Sequence, residues 1–278
     1  MSRDPDRPRL RRLPGGLTLR ALAPNAITAG ALCVGLTAIR FAIEGATVAD
    51  PVLADPAWKL CVAAIILAGM LDGIDGRIAR LLNAQSRFGA ELDSLADSIS
   101  FGVAPALILY LWSLQQLPRL GWFAALAFAI CCVLRLARFN AQIDMVDEPR
   151  KQAGFLTGVP APVGAGLAFL PMYLWIATGN DLFRDPRLVG GWVLLMAFLL
   201  ISNLPTLSWS KLRPRRSIRI EVLALVGLLM AGLLAEPWVT LIGICAIYLM
   251  LLPVGIVAYA RFRRRRADRP AEAAAEIH

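Results

Sequence analysis

Four aspartates, Asp72, Asp75, Asp93 and Asp97, are spaced so that chemistry can be read from them directly. Asp72 and Asp75 are three residues apart, and Asp93 and Asp97 are four apart. On helices each pair therefore shares one face. The connection at 83–88 is short, which makes the two helices a hairpin in which the acid pairs can face each other. Four carboxylates in one pocket repel strongly unless cations neutralise them. An all-oxygen donor set selects hard ions, so Mg2+ or Mn2+ is implied, and two divalent ions would balance the four charges. Gly76 and Ala79 lie four residues beyond Asp72 and Asp75, with Gly89 nearby, so small residues border the acids. Small side chains let a bulky ligand approach the backbone. Arg80, a turn further along, can donate a fork of hydrogen bonds to a phosphate. Two metals, an arginine and a floor of small residues suit a diphosphate undergoing in-line displacement. The competing reading makes the acids and Arg80 helix-end ion pairs and the glycines packing positions. It explains any one residue, but it does not explain the whole spacing.

The elements that must hold these acids are apolar. Of the 278 residues, 58% are hydrophobic and only 18% charged, against about 45–50% and about 25% in soluble chains. The apolar residues run in blocks, such as 61–71, 121–134 and 241–260. This excludes a soluble protein and supplies about eight helices of about 20 residues each. The predicted fold class is therefore all-α: a polytopic membrane helix bundle of eight transmembrane helices at 25–44, 58–82, 93–115, 120–140, 158–178, 189–206, 219–235 and 238–260. Prolines fall in or near the connections, as helix breakers do. The expected domains are an Arg-rich arm at 1–23 whose end (17–23) forms a surface helix, a transmembrane catalytic domain at 24–260, and a disordered basic tail at 261–278. An Asp at the centre of a membrane helix costs about 2.5–3.5 kcal/mol on insertion scales. Acids at such depth are functional by default and face a cavity.

The net charge of +9 belongs mainly to topology. With both termini cytoplasmic, 24 of the 29 Lys and Arg fall on the cytoplasmic side, leaving Arg40, Lys59, Arg119, Arg184 and Arg187 opposite. Basic residues placed at the ends of apolar runs argue against a nucleic-acid partner. A cleaved signal peptide is not expected, because the charged N-terminal region is too long. The five cysteines (Cys33, Cys61, Cys131, Cys132 and Cys245) all lie in apolar runs and read as small buried hydrophobes. His278 is the sole histidine. That removes Ser-His-Asp triads, histidine nucleophiles and histidine metal ligands, and leaves carboxylates, Arg, Lys, hydroxyls and backbone.

The pattern Asp72-x2-Asp75-Gly76-x2-Ala79-Arg80-x8-Gly89-x3-Asp93-x3-Asp97 resembles the signature of the CDP-alcohol phosphatidyltransferase family at all eight of its fixed positions. The resemblance implies an integral membrane enzyme that uses a CDP-linked lipid or alcohol and releases CMP. It implies that the four acids bind two divalent metals and that Asp97 deprotonates the acceptor hydroxyl. Gly76, Ala79, Arg80 and Gly89 are then assigned to CDP-diacylglycerol. Asn25 and Thr28, in a Pro24-Asn25-x2-Thr28 segment similar to the family's nucleotide-contacting one, join them.

Further segments are similar to the bacterial membrane-integral phosphatidylserine synthases of that family: 100–106 (SFGVAPA), 134–140 (LRLARFN), 155–166 (FLTGVPAPVGAG) and 201–212 (ISNLPTLSWSKL). Gly158-Val159-Pro160 departs conservatively from the Gly-Leu-Pro more frequent there. The resemblance implies L-serine as acceptor, arriving from the cytoplasm, with the acyl chains entering from the inner leaflet of a bacterial inner membrane. It also implies a homodimer. A zwitterionic acceptor needs a cation for its carboxylate, and Arg135 or Arg138, with Asn140 beyond them, can provide it. Positive-inside anchoring explains either arginine equally well. Glycerol 3-phosphate, inositol and choline stay open as acceptors. A transporter with a carboxylate relay is the alternative from another class, although relay acids are expected to spread along a path through the membrane.

Overall fold

A computed structural model of the chain describes residues 19–48, 50–141, 155–202, 205–207 and 219–255. The expectations placed on the N-terminal arm before residue 19, on the end (208–212) of the 201–212 segment and on the C-terminal tail lie outside these residues. The described residues are overwhelmingly helical and fall into two compact units that divide between Trp112 and Ser113.

The first unit holds α1 (Leu19–Thr47), α2 (Pro51–Leu81), α3 (Arg87–Asp97), one π-helical segment (Ser98–Val103) and α4 (Ala104–Trp112). Residues 19–23 are the first turns of α1. Along α1 the buried positions Pro24, Thr28, Ala31, Gly35, Ala38, Ala42 and Gly45 alternate by four and three. On α2 the row Ala54, Trp58, Cys61, Ile65, Ala68, Asp72 and Asp75 repeats the same alternation, and all but Asp72 are buried. That period keeps one stripe of each helix facing its neighbour. Small side chains on α1 let the helices come close. A methyl group on Gly45 would stand 2.8 Å from the Trp58 ring, and one on Gly35 would stand 2.5 Å from Ser100 Oγ.

The α2–α3 connection is built from local chemistry. Asn83 adopts a left-handed backbone (φ 47°), which Asn tolerates better than most residues. Its N–H donates to the Arg80 carbonyl at 3.2 Å, and the Ala84 N–H donates to the Ala79 carbonyl at 2.9 Å. This is a Schellman ending for α2. Ser86 then caps α3, its hydroxyl accepting from the Gly89 N–H at 3.0 Å.

The second unit holds α5 (Leu120–Ala141), β1 (Phe155–Thr157), α6 (Ala161–Ala168), α7 (Leu170–Thr178), α8 (Pro186–Ile201), β2 (Pro205–Leu207), α9 (Arg219–Ala235) and α10 (Pro237–Gly255). α5 packs on α8. The buried faces are Ala124, Ala125, Phe128, Cys132 and Leu136 on one helix and Val189, Val193, Met196, Ala197 and Leu200 on the other. The fifth expected span is broken at Phe169, because Pro171 carries no N–H for the Leu167 carbonyl. That carbonyl accepts instead from Trp192 Nε1 at 2.9 Å. Among the described residues, the one addition to the helical class is an antiparallel pair in which Phe155 faces Leu207 and Thr157 faces Pro205.

Among the described residues, six helical stretches are long and apolar enough to cross a membrane: Leu22–Thr47, Leu53–Leu81, Arg87–Trp112, Leu120–Ala141, Ala161–Thr178 and Pro237–Gly255. The protein is a membrane protein. The other two expected spans fall on shorter apolar helices, Pro186–Ile201 and Leu223–Ala235. The first of these has 16 residues, which at about 1.5 Å per residue is about 24 Å, short of a core of about 30 Å.

Candidate active site

The acid-bearing face of α2 is the continuation of its packing stripe, so folding the α1–α2–α3 trio brings the acids together. Asp72, Asp75 and Asp93 each offer a carboxylate oxygen, and these oxygens lie within 4.8 Å of one another. Asp97 sits at the end of α3, within electrostatic range of Asp72, Asp93 and Asp75. Asp75 is only 3% exposed. Three close carboxylates in an all-oxygen set fit a hard divalent cation. The cluster can therefore hold a metal ion.

The smaller residues assigned to the nucleotide lie on the same unit. Around Gly76, beyond the backbone of its own helix and its two chain neighbours, no atom stands within 4 Å of where a Cβ would be, leaving open floor one turn along from Asp72. Ala79 is partly exposed, and Arg80, in the last turn of α2, is exposed. Gly89 is there for a different reason. A Cβ on it would stand 2.9 Å from Asn25 Oδ1 and 3.1 Å from Ser86 Oγ, so its lack of a side chain lets α1 and α3 close at this end. Asn25 and Gly89, 64 positions apart in the chain, are thus neighbours. Thr28, 5% exposed, donates to Asp75 Oδ2 at 2.5 Å and also stands 3.1 Å from the Pro24 carbonyl.

The residues suggested for a serine carboxylate lie on the second unit. Arg138 Nη2 is 3.5 Å from the Ser202 carbonyl. Gly158, with φ 75°, packs so closely that a Cβ would meet the Ser202 and Leu200 carbonyls at 2.9 and 3.0 Å, with Arg138 Nη2 at 3.8 Å. Arg138 of the 134–140 segment, Gly158 of 155–166 and Ser202 of 201–212 therefore lie together. Arg135 is within electrostatic range of Tyr248 on α10. Asn140 is partly exposed near the end of α5.

Three features were not foreseen from the sequence: the Thr28–Asp75 bond, the Ser86 cap, and the buried Ser100 and Tyr248 hydroxyls that have no hydrogen-bond partner. The Ser86 cap had a readable signal, a serine just before a helix that begins with a basic residue and an apolar one. The others depend on which helices meet.

Residues 21–203 match the family model described as CDP-alcohol phosphatidyltransferase, and residues 217–253 match another described as CDP-alcohol phosphatidyltransferase 2. A Mycobacterium tuberculosis protein named CDP-diacylglycerol–serine O-phosphatidyltransferase is 37% identical over 250 residues, covering 90% of this chain and 82% of that protein. A Helicobacter pylori protein of the same name is 35% identical over 211 residues, covering 74% of this chain and 81% of the relative. A Bacillus subtilis protein, again of that name, is 50% identical over 98 residues, covering 35% of this chain and 51% of the relative.

Proposed function

The chain belongs to the CDP-alcohol phosphatidyltransferase family, and from that premise we propose that it transfers the phosphatidyl group of CDP-diacylglycerol to the hydroxyl of L-serine, giving phosphatidylserine and CMP. The reaction class is supported by the convergence of Asp72, Asp75 and Asp93 on the family's acid pattern, with Asp97 within electrostatic range of all three. One observation carries the acceptor: the relatives that align over most of this chain bear the serine enzyme's name.

In this reading Asp72, Asp75, Asp93 and Asp97 hold Mg2+ or Mn2+, two ions balancing four charges. Bound there, the ions supply charge neutralisation for the diphosphate and its leaving group. Asn25, Gly76, Ala79, Arg80 and Gly89 border the CDP moiety, and Arg80 donates to a phosphate oxygen. Asp97 accepts the proton of the serine hydroxyl. The serine oxygen forms its bond to the lipid-linked phosphorus as the bond from that phosphorus to the CMP oxygen breaks, and CMP leaves with the electron pair. Arg135, Arg138 and Asn140 are assigned to the serine carboxylate on chemistry alone, a guanidinium fork suiting a carboxylate. The proposal includes one catalytic domain at 24–260 with eight crossings, both termini in the cytoplasm of a bacterium, the site at the cytoplasmic face of its inner membrane, and pairing of two copies.

The test supplies purified protein with CDP-diacylglycerol and each candidate alcohol, with and without Mn2+ or Mg2+, and follows CMP. The expected result is metal-dependent CMP release with serine. Release with a different alcohol overturns the acceptor, and no release with any alcohol overturns the reaction class. Asp97→Asn is expected to lower turnover by about 10²–10⁴-fold, the usual contribution of a positioned base, while CDP-diacylglycerol still binds.

A further inference from the structure

The Thr28 hydroxyl is buried in the α1 stripe at the point where that stripe meets the acids. It carries one proton and faces two acceptors, Asp75 Oδ2 at 2.5 Å and the Pro24 carbonyl at 3.1 Å. The shorter contact has the length of a hydroxyl-to-carboxylate bond, which is about twice as strong as a neutral one. Asp75 is the most buried of the three clustered acids. A carboxylate at such a position has little water to orient it, so its neighbours fix its rotamer. Thr28 comes from a different helix, 47 residues away, and so ties α1 to the acid-bearing turn of α2.

We propose that Thr28 is a positioning residue for the divalent-cation site. Its hydroxyl holds Asp75 in the orientation in which that carboxylate meets Asp72 and Asp93, and it thereby sets cation affinity. This differs from direct contact with the nucleotide, which the family resemblance implies for the Pro24–Thr28 segment. The inference rests on the reading of the acids as cation ligands. Partners that orient metal ligands are worth about 10–100-fold in affinity when removed, and that is the size of effect expected here.

The experiment titrates Mn2+ into the full-length protein in lipid nanodiscs, without nucleotide or acceptor, and measures free Mn2+ by electron paramagnetic resonance. Thr28→Val and the smaller Thr28→Ala should each weaken Mn2+ binding by about tenfold or more, while Thr28→Ser, which keeps the hydroxyl, should stay within about threefold of the parent. In an Asp75→Asn background, Thr28→Val should have no further effect, because the two residues act as one unit. At saturating Mn2+, CDP-diacylglycerol affinity should be unchanged by Thr28→Val. Parent-like Mn2+ binding in both hydroxyl-free variants overturns the proposal, as does additivity with Asp75→Asn. Loss of lipid-nucleotide affinity at saturating Mn2+ overturns it in favour of direct contact. A folded parent protein that binds no Mn2+ overturns the cation reading itself, which separates the two failures.

Discussion

Ser100 buries a hydroxyl with no hydrogen-bond partner, seven residues beyond Asp93, where the helix has loosened to a π turn. Its Oγ occupies the space that a side chain on Gly35 would need. An unsatisfied buried hydroxyl costs about 1–3 kcal/mol, so Ser100→Ala should raise the thermal midpoint in detergent. Gly35→Ala should lower it, because a Cβ there also comes within 3.2 Å of the Ser100 Cα, and overpacking of this kind costs about 1–3 kcal/mol. A Gly35→Ala midpoint equal to the parent's would mean that α1 and the π segment are not in close contact. At this scale the acids were legible from the chain alone, since a carboxylate in an apolar run is costly and needs a reason. Thr28 was legible only as part of a motif. That its hydroxyl reaches Asp75 depends on how α1 crosses α2, which no local pattern states.

Among the elements, the broken fifth span makes a sharp case. The Leu167 carbonyl, deprived of its donor by Pro171, takes the indole N–H of Trp192 from α8. Trp192→Phe should therefore cost about 1–2 kcal/mol by leaving that carbonyl without the indole donor. In a Pro171→Ala background, where residue 171 regains an N–H, the same substitution should cost clearly less. Thermal unfolding of the four proteins measures the coupling, and equal losses in both backgrounds would sink the account. The apolar block at 158–178 was readable as a span, but its break at Phe169 and the repair by a tryptophan 21 positions after Pro171 were not foreseen. The strand pair was equally hidden, because three-residue strands carry no periodicity to read. The helix hairpin at 72–97 was readable because its short connection makes the two helices neighbours, so that the acid pairs can face each other.

For the whole molecule, the distribution of Lys and Arg carries a topology that labelling can check. In a cysteine-free background, Ala84→Cys in the α2–α3 turn should react with a membrane-impermeant maleimide only after permeabilisation. Gln116→Cys and Asn180→Cys should react in intact cells. The reverse pattern would invert the orientation and put the acids on the wrong side for a cytoplasmic substrate. The helical class and the membrane setting followed from apolar blocks and charge asymmetry. Eight crossings were expected from the same blocks; six helices have the length to cross among the described residues, and an apolar run such as 189–206 does not show where its helix stops. In the structure that helix ends at Ile201, and the chain forms a strand a few residues later.

The row on α2 that begins with Ala54 and Trp58 ends, in the same rhythm, with Asp72 and Asp75. The backbone follows one course whether a position on that row carries a methyl group or a carboxylate. Chemistry of this kind is open to gradual invention: a helix already selected for close packing gains an acid by a single codon change at its polar end, with no new loop and no new fold. The same economy is available to an engineer, who can vary the reacting end of the α1–α2 pair while the rest of the row keeps the two helices in register.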